Sequence, residues 1–587
     1  MQKYFQIALA FILMVSIVFP TQSEAAETQT SLVNLDHLDF LNEEVTIDGK
    51  EMLITHIYSE YPNYEWVDDA DEGIACVDDV ARAAVVYLNH YEQTRDSTSL
   101  EKAKKALNFV MYMQTDDGEF YNFIFDDYSI NTDGPTSKKS FDWWAARAMW
   151  SIGHGYKVFS ETDPAYANEL KESFLLANNA LQKKVNEKYG EYNIVNGYKI
   201  PAWIGGFDAM SNALLGLSEF YEAEKNHLVK NSMLKLGKGL SEYQFGSYTK
   251  YPFGAHLDWD GSPTLWHAWG SGQSMALAKA GNLLNKEEWV ESAQQEADQL
   301  FTHILVTGMI KEMAPTPTKD EQIAYGVNML TQAFTELYHA TNEKKYAQYA
   351  GIAASWYTGN NDANFQMYDP KTGRGYDGLN GVTGKVNMNS GAESTIEALM
   401  SIQSIQQMPE AMETFNVKTK ERHTSTIHEA ESFTVKNGSP AIETPESAWT
   451  GDALFSNKIV KLTNGDTIQK EVNIDKQVLY LIYGALEKAP ALGGELKVDL
   501  KIDGRKVSST DVSAANKYLT LVNLNRVNYL TTGKHTITLT AKTAYNETLT
   551  LDNVVVQPVK EYALFEDEDG RTIKFTRHLI TEKHNLQ

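Results

Sequence analysis

Val80-Ala81-Arg82-Ala83-Ala84-Val85-Val86-Tyr87-Leu88 and, shortly after it, Ser99-Leu100-Glu101-Lys102-Ala103-Lys104-Lys105-Ala106-Leu107 decide the fold between them. The first stretch has no turn residue and is apolar on most sides, as a helix packed on both flanks must be. The second is apolar on one side only, the mark of an outer helix. From about residue 37 to 407 the two kinds alternate, and the alternation repeats. Buried-type helices are predicted to begin near Asp78, Asp142, Asp208, Trp266, Tyr325 and Glu393, 58 to 68 residues apart, which is the length of two helices with two loops. Six such units close into a ring of six inner and six outer helices. The last unit lacks an evident second helix, so the segment from Leu38 to Tyr61 is expected to complete the ring.

The loops are unequal. Connections before inner helices, such as Phe120 to Lys139, Tyr248 to Pro263 and Asp362 to Ser390, are long and rich in Gly, Asp and aromatics; those within hairpins, such as Thr94 to Ser97, are short. Long loops in a compact domain usually carry function. All the long ones fall at one end of the ring, so they are expected to form a single cleft. Residues 409–427 read as a polar linker. After them come short alternating runs, Leu496 to Ile502 and His535 to Thr540 among them, that predict an antiparallel β-sandwich over 428–558. The charged tail, 559–587, carries no pattern that assigns it.

Lys3, the apolar Ile7 to Phe19 stretch and the Ser23-Glu24-Ala25 triplet read as a secretory leader spanning 1–26, cleaved near Ala25 or Ala26. The apolar run is short for a membrane span, and no other run could cross a bilayer. A secreted, extracellular protein follows, with no membrane partner after cleavage. A net charge of −26 argues against nucleic acid and anionic membranes. The single cysteine, Cys76, cannot form an internal disulfide and reads as a small packing residue. Nothing in the chain indicates an oligomeric state.

Inner helices open with acids: Asp78 and Asp79 in the first, Asp142 and Asp208 in the next two, Glu393 in the last. Each could simply cap its helix or complement the dipole. Their convergence on one cleft points instead to glycoside hydrolysis, which needs one protonated and one ionised carboxyl. The leading pair is Asp78 or Asp79 with Asp142 or Asp208, and Glu393 is the reserve. Acids on separate inner helices would stand far apart, as an inverting mechanism requires. Sugar contacts are expected from Trp66, Trp143, Trp203, Trp259 and Trp266, with Asp258, His267, Tyr376 and Asp377 as polar partners. His256, Asp258, Asp260 and His267 could alternatively ligate a metal, but no tight histidine spacing supports it.

On this architecture and these helix-start acids, residues 37–407 resemble the six-hairpin glycosidase superfamily, the (α/α)6 toroids. The Asp117-Gly118-Glu119-Phe120-Tyr121-Asn122 run is similar to loops in members of it. The resemblance implies a mostly α chain, an (α/α)6 catalytic toroid followed by a C-terminal antiparallel β-sandwich, and a carbohydrate-active function; it specifies fold better than reaction. His428-Glu429-Ala430-Glu431, Gly533 to Leu539 and Leu551-Asp552-Asn553-Val554-Val555-Val556 resemble carbohydrate-binding modules of families 6 and 35. That resemblance implies a structural calcium held by Glu429, Glu431 and Asp552, and ligand aromatics in variable loops, for which Trp449 and Tyr518 are candidates. No cofactor is expected for catalysis. The leading function is hydrolysis of an extracellular or cell-wall polysaccharide. A polysaccharide lyase on the same toroid, which would want a basic cleft, and a non-catalytic glycan-binding protein are the alternatives. Arg374 is the only arginine in the long loops, which argues against the lyase. An epimerase fits an exported chain less well.

Overall fold

Among the helices of the computed structural model, six run through the middle of a ring: α2 (Val77–Thr94), α4 (Trp143–Thr162), α6 (Phe207–Ala223), α8 (Gln273–Leu284), α11 (Ala324–Thr341) and α13 (Ala392–Gln406). Each packs on the next, and α13 returns to α2, which closes the circle. The outer helices are α3 (Ser97–Tyr112), α5 (Pro164–Lys188), α7 (His227–Glu242), α9 (Glu287–Glu296), α12 (Lys344–Ala354) and the short α14 (Pro409–Phe415). A π turn at Ala297–Phe301 carries α9 into α10 (Thr302–Thr307). The architecture is therefore an (α/α)6 toroid. The description covers residues 31–195, 197–444, 458–487, 496–513, 519–544 and 547–587, so the leader ending near Ala25 or Ala26, Trp449 and Tyr518 lie outside the described residues. No described helix is long and apolar enough to cross a membrane.

Burial follows the sequence pattern. Val80, Ala81, Ala83, Ala84, Val86, Tyr87 and Leu88 of α2 are all fully buried, whereas α3 buries one face through Ala103, Ala106, Leu107 and Phe109. Helices α4 and α6 touch backbone to backbone: a Cβ on Gly153 would lie 2.3 Å from the Gly216 carbonyl oxygen, and one on Gly216 would lie 2.4 Å from that of Met149. Only glycine permits that approach.

Two expectations change, and the unassigned tail gains a structure. Leu38 to Tyr61 does not supply a full helix: α1 (Asp36–Leu41) is one short helix against α13, and Asn42–Ile47 pairs with Lys50–Thr55 as a hairpin laid on α3. Buried Val45 and Ile47 alternating with exposed Glu44 and Thr46 is a strand period rather than a helical one. Residues 409–427 are not an open linker, since they hold α14, which packs on α12, and strand Lys418–His423. The charged tail is ordered: Lys560–Glu566, Thr572–His578 and Lys583–Leu586 join Lys418–His423 in a four-stranded antiparallel sheet.

The β-sandwich buries Val460, Leu462, Ile468, Leu500, Ile537, Leu539, Leu551 and Val554 between two antiparallel sheets. The toroid, sandwich and tail sheet form one unit, Val33–Gln587. Glu561 is wholly buried between Arg577 and His303, the latter at 2.9 Å. Tyr483 Oη donates to the Thr249 carbonyl at 2.9 Å, and His584 bridges Tyr349 at 2.8 Å and Asp298 at 3.1 Å.

Candidate active site

Helix starts and long loops meet at one end of the ring around two cavities of about 410 and 480 Å³. Both are lined by Glu321, Ile323, Tyr325 and Glu393, so they make one continuous cleft. The floor is a buried charge network. Arg82 of α2, 2% exposed, donates to Asp79 Oδ1 at 2.7 Å, Glu397 Oε1 at 2.5 Å and Glu393 Oε2 at 3.2 Å. Arg147 of α4 pairs with Asp78 and donates to Tyr325 Oη at 2.5 Å. Asn328 Nδ2 donates to the second Glu397 oxygen at 2.6 Å. Burying so many ions is unfavourable unless each finds a partner, and here the two guanidiniums supply them.

The acids are not equivalent. Burial resists the charge on Asp78, but Arg147 and Arg82 override it and hold this carboxyl below the usual range. Burial pushes Asp79 up to about 6 and Glu397 up to about 7 against the pull of Arg82. Burial also raises Asp208, opposed by the Ala209 N–H and by Arg147. Asp377 and Glu321 are raised the same way, by burial first. Burial lifts the Tyr325 phenol to about 12, with Arg147 opposing. The cleft thus contains an ionised Asp78 beside carboxyls biased toward the protonated form, the separation of roles that acid catalysis by carboxyls requires.

Among the acids expected from sequence, Asp78, Asp79, Asp208 and Glu393 line the cleft and Asp142 does not. Asp142 stands one residue before α4, its side chain 45% exposed, and its carboxylate is taken at 3.2 Å by Lys184 of the outer helix α5. Asp377 lines the first cavity, accepting from Ser394 Oγ at 2.7 Å and the Gly391 N–H at 3.2 Å.

Of the expected indoles, Trp143 lines the second cavity, its ring edge-on to buried Trp144 at 4.7 Å. Trp203 is buried toward α7, with Nε1 donating to the Lys235 carbonyl at 3.1 Å. Trp266 is fully buried against Phe301. Trp66 stacks on buried His56 at 3.8 Å and donates through Nε1 to the Phe40 carbonyl at 3.1 Å, and it does not line the cleft. Trp259 folds over Gly261, and Tyr376 bonds Tyr64; neither lines the cleft. Asp258 is a buried brace accepting from the His267 N–H at 2.8 Å and Gln273 Nε2 at 2.9 Å. His267, which burial brings down to about 4, lies behind Trp269 at 4.2 Å. Arg82, Arg147, Glu397, Tyr325, Glu321 and Lys311 also line or floor the cleft and were not among the residues expected from sequence. One signal was available: Asp78 and Arg82 stand four apart, hence on one helical face.

In the sandwich, strand Thr426–Glu429 pairs with Leu549–Pro558 so that Glu429 faces Asn553. Asp552 is fully buried toward the toroid, accepting from Thr316 Oγ1 at 3.1 Å, and Asn553 Nδ2 reaches the same hydroxyl at 2.7 Å. Among the described residues no three His, Cys, Asp or Glu side chains gather closely enough to hold a metal. Glu429, Glu431 and Asp552 form no such group, and the Asp552 carboxyl meets the toroid through Thr316.

No family model and no curated protein matches the chain. Solved structures that align with about two thirds of this chain include the following two. A sugar epimerase from a ruminal bacterium is 13% identical over 65% of this chain and 97% of its own, with a TM-score of 0.46. The cellobiose 2-epimerase from Bacillus thermoamylovorans B4167 is 11% identical over 64% and 96%, with a TM-score of 0.44. A family 35 carbohydrate-binding module from Clostridium thermocellum aligns with 23% of this chain and 98% of its own, at 18% identity and a TM-score of 0.19.

Proposed function

We propose that this protein is a secreted glycoside hydrolase acting on an extracellular polysaccharide, with Asp208 as proton donor and Glu393 as the base that activates water. The supporting observation is that a burial-raised carboxyl and a half-exposed carboxylate line one cavity from α6 and α13. Those helices are opposite members of the six-helix ring, which leaves room between the acids for water and favours inversion. Asp78 is the poorer base, being held ionised and spent on Arg147. Arg82, Arg147, Asp79 and Glu397 position the reacting acids. The sandwich is proposed to hold the glycan near the toroid.

The test is leaving-group dependence. Asp208→Asn should slow an unactivated glycan by 10²-fold or more and slow an aryl glycoside with an acidic leaving group far less, because such a group departs without a proton. Glu393→Gln should slow both. Equal loss on both substrates in Asp208→Asn would remove Asp208 from the donor role.

One observation favours a second reading. The Arg147–Tyr325 pair on the cleft floor supplies the phenol and cation a lyase would use, from inner helices rather than from the loops. The raised phenol opposes it, since a lyase needs a phenolate within reach at ordinary pH. Absorbance from an unsaturated product would support it over hydrolysis.

A further inference from the structure

The two cavities differ in charge. Seven carboxyl groups line the first against one guanidinium, that of Arg82. The second contains Arg147 and Lys311 together with Trp143 and Trp269. Lys311 makes no ion pair within 4.0 Å of a described carboxylate, although its charge acts on Glu321 across the cavity; its ammonium lies 5.9 Å from the Trp269 ring. Its position is fixed by its backbone, which donates to the Thr318 carbonyl at 2.7 Å and accepts from the Ala268 N–H at 2.9 Å. The half-buried lysines Lys157, Lys184 and Lys279, by contrast, all meet carboxylates. Arg147 is 6% exposed, and its two terminal nitrogens are engaged by Asp78 and Tyr325, but its Nε is buried with no partner. A buried donor left unmade is costly, and such a group calls for an explanation.

We propose that the second cavity is a subsite for a sugar bearing a carboxylate, a hexuronate, with Lys311 Nζ and Arg147 Nε taking the carboxylate and an indole carrying the ring. This rests on the reading of the cleft as a sugar-processing site. A singly charged planar carboxylate fits better than a phosphate dianion, because Glu393 lines the same space and would repel a second charge. The first cavity, with its seven acids, takes the neighbouring sugar, which is uncharged. The substrate on this account is a chain in which a uronate is joined to a neutral residue. Trp143 is 40% exposed and Tyr58 41%, so each cavity has an exposed aromatic wall on which a further sugar can lie.

The experiment is calorimetric titration of the full-length protein with D-glucuronate, D-galacturonate, D-glucose and D-galactose at low salt. Charge-assisted bonds to two cationic donors should make a uronate bind at least about tenfold tighter than its parent hexose. Lys311→Met should abolish that preference and Lys311→Arg should keep most of it, with both variants checked for unchanged melting. Equal affinity for uronate and hexose, no binding of either, or an undiminished preference in Lys311→Met overturns the proposal. The two readings fail separately. Uronate preference without any hydrolysis sinks only the hydrolase; hydrolysis of neutral glycans without uronate preference sinks only the subsite.

Discussion

Replacing Arg82 with Met removes the hub of the buried network while keeping the side chain's bulk. Arg82 is 2% exposed and meets Asp79, Glu393 and Glu397 within 3.2 Å, with Asp78 at 3.9 Å. Of these, the Asp79 and Glu397 side chains are 5% and 0% exposed, so water cannot replace the guanidinium. Stranding buried charge in this way costs about 3–5 kcal/mol, a large part of the roughly 5–15 kcal/mol that holds a domain folded. The cost should depend on pH. Asp79 and Glu397 already titrate near 6 and 7, above their ordinary values of 3.8 and 4.5, and losing Arg82 raises both further. A carboxyl raised in the folded state adds stability while protonated and loses it as pH rises through the folded value. At about 1.4 kcal/mol per unit, the variant should be much closer to wild type at pH 5 than at pH 8. Urea midpoints at the two pH values measure this. A variant as stable as wild type at pH 8, or a deficit that is the same at both, would refute the network as described.

Asp142→Asn should leave turnover unchanged and cost no more than about 1 kcal/mol, since it loses only a half-exposed pair with Lys184; a loss of kcat would return Asp142 to the cleft. Trp203→Ala should lower stability by about 3–5 kcal/mol, read in the same urea titration, with KM unaltered because the indole is buried against α7. Glu561→Gln should loosen the tail sheet, seen as faster proteolytic cutting between 558 and 587. His303 and Arg577 overcome burial to hold Glu561 at about 2, so its contribution is present above the ordinary 4.5 and fades as pH falls through about 2.

The ring was legible because an inner helix must be apolar nearly all round, and few local arrangements mimic α2 or α6. The inner helix expected near Trp266 begins later, at Gln273, because Trp266 and His267 first form a short strand pairing with Glu312–Met313. The acids were half legible. Phe141-Asp142 and Phe207-Asp208 read alike, yet Asp208 falls inside α6 and Asp142 before α4, and that offset turns Asp142 toward α5. Arg82, Arg147 and Glu397 were hidden inside helices, where a charge reads as a solvated face until the ring closes around it. Indoles in polar loops proved the weakest guide: Trp203 and Trp266 go inward, since a large ring gains more from burial than from exposure.

A single turnover of a mixed uronate-containing glycan in heavy-oxygen water, with products weighed by mass spectrometry, tests hydrolysis at the cleft most directly. Hydrolysis at the cleft puts one labelled oxygen at the new reducing end, and the Asp208→Asn, Glu393→Gln double variant should form no such product. Fragments lacking the label and lighter by one water, or labelled product that persists in the double variant, would contradict it.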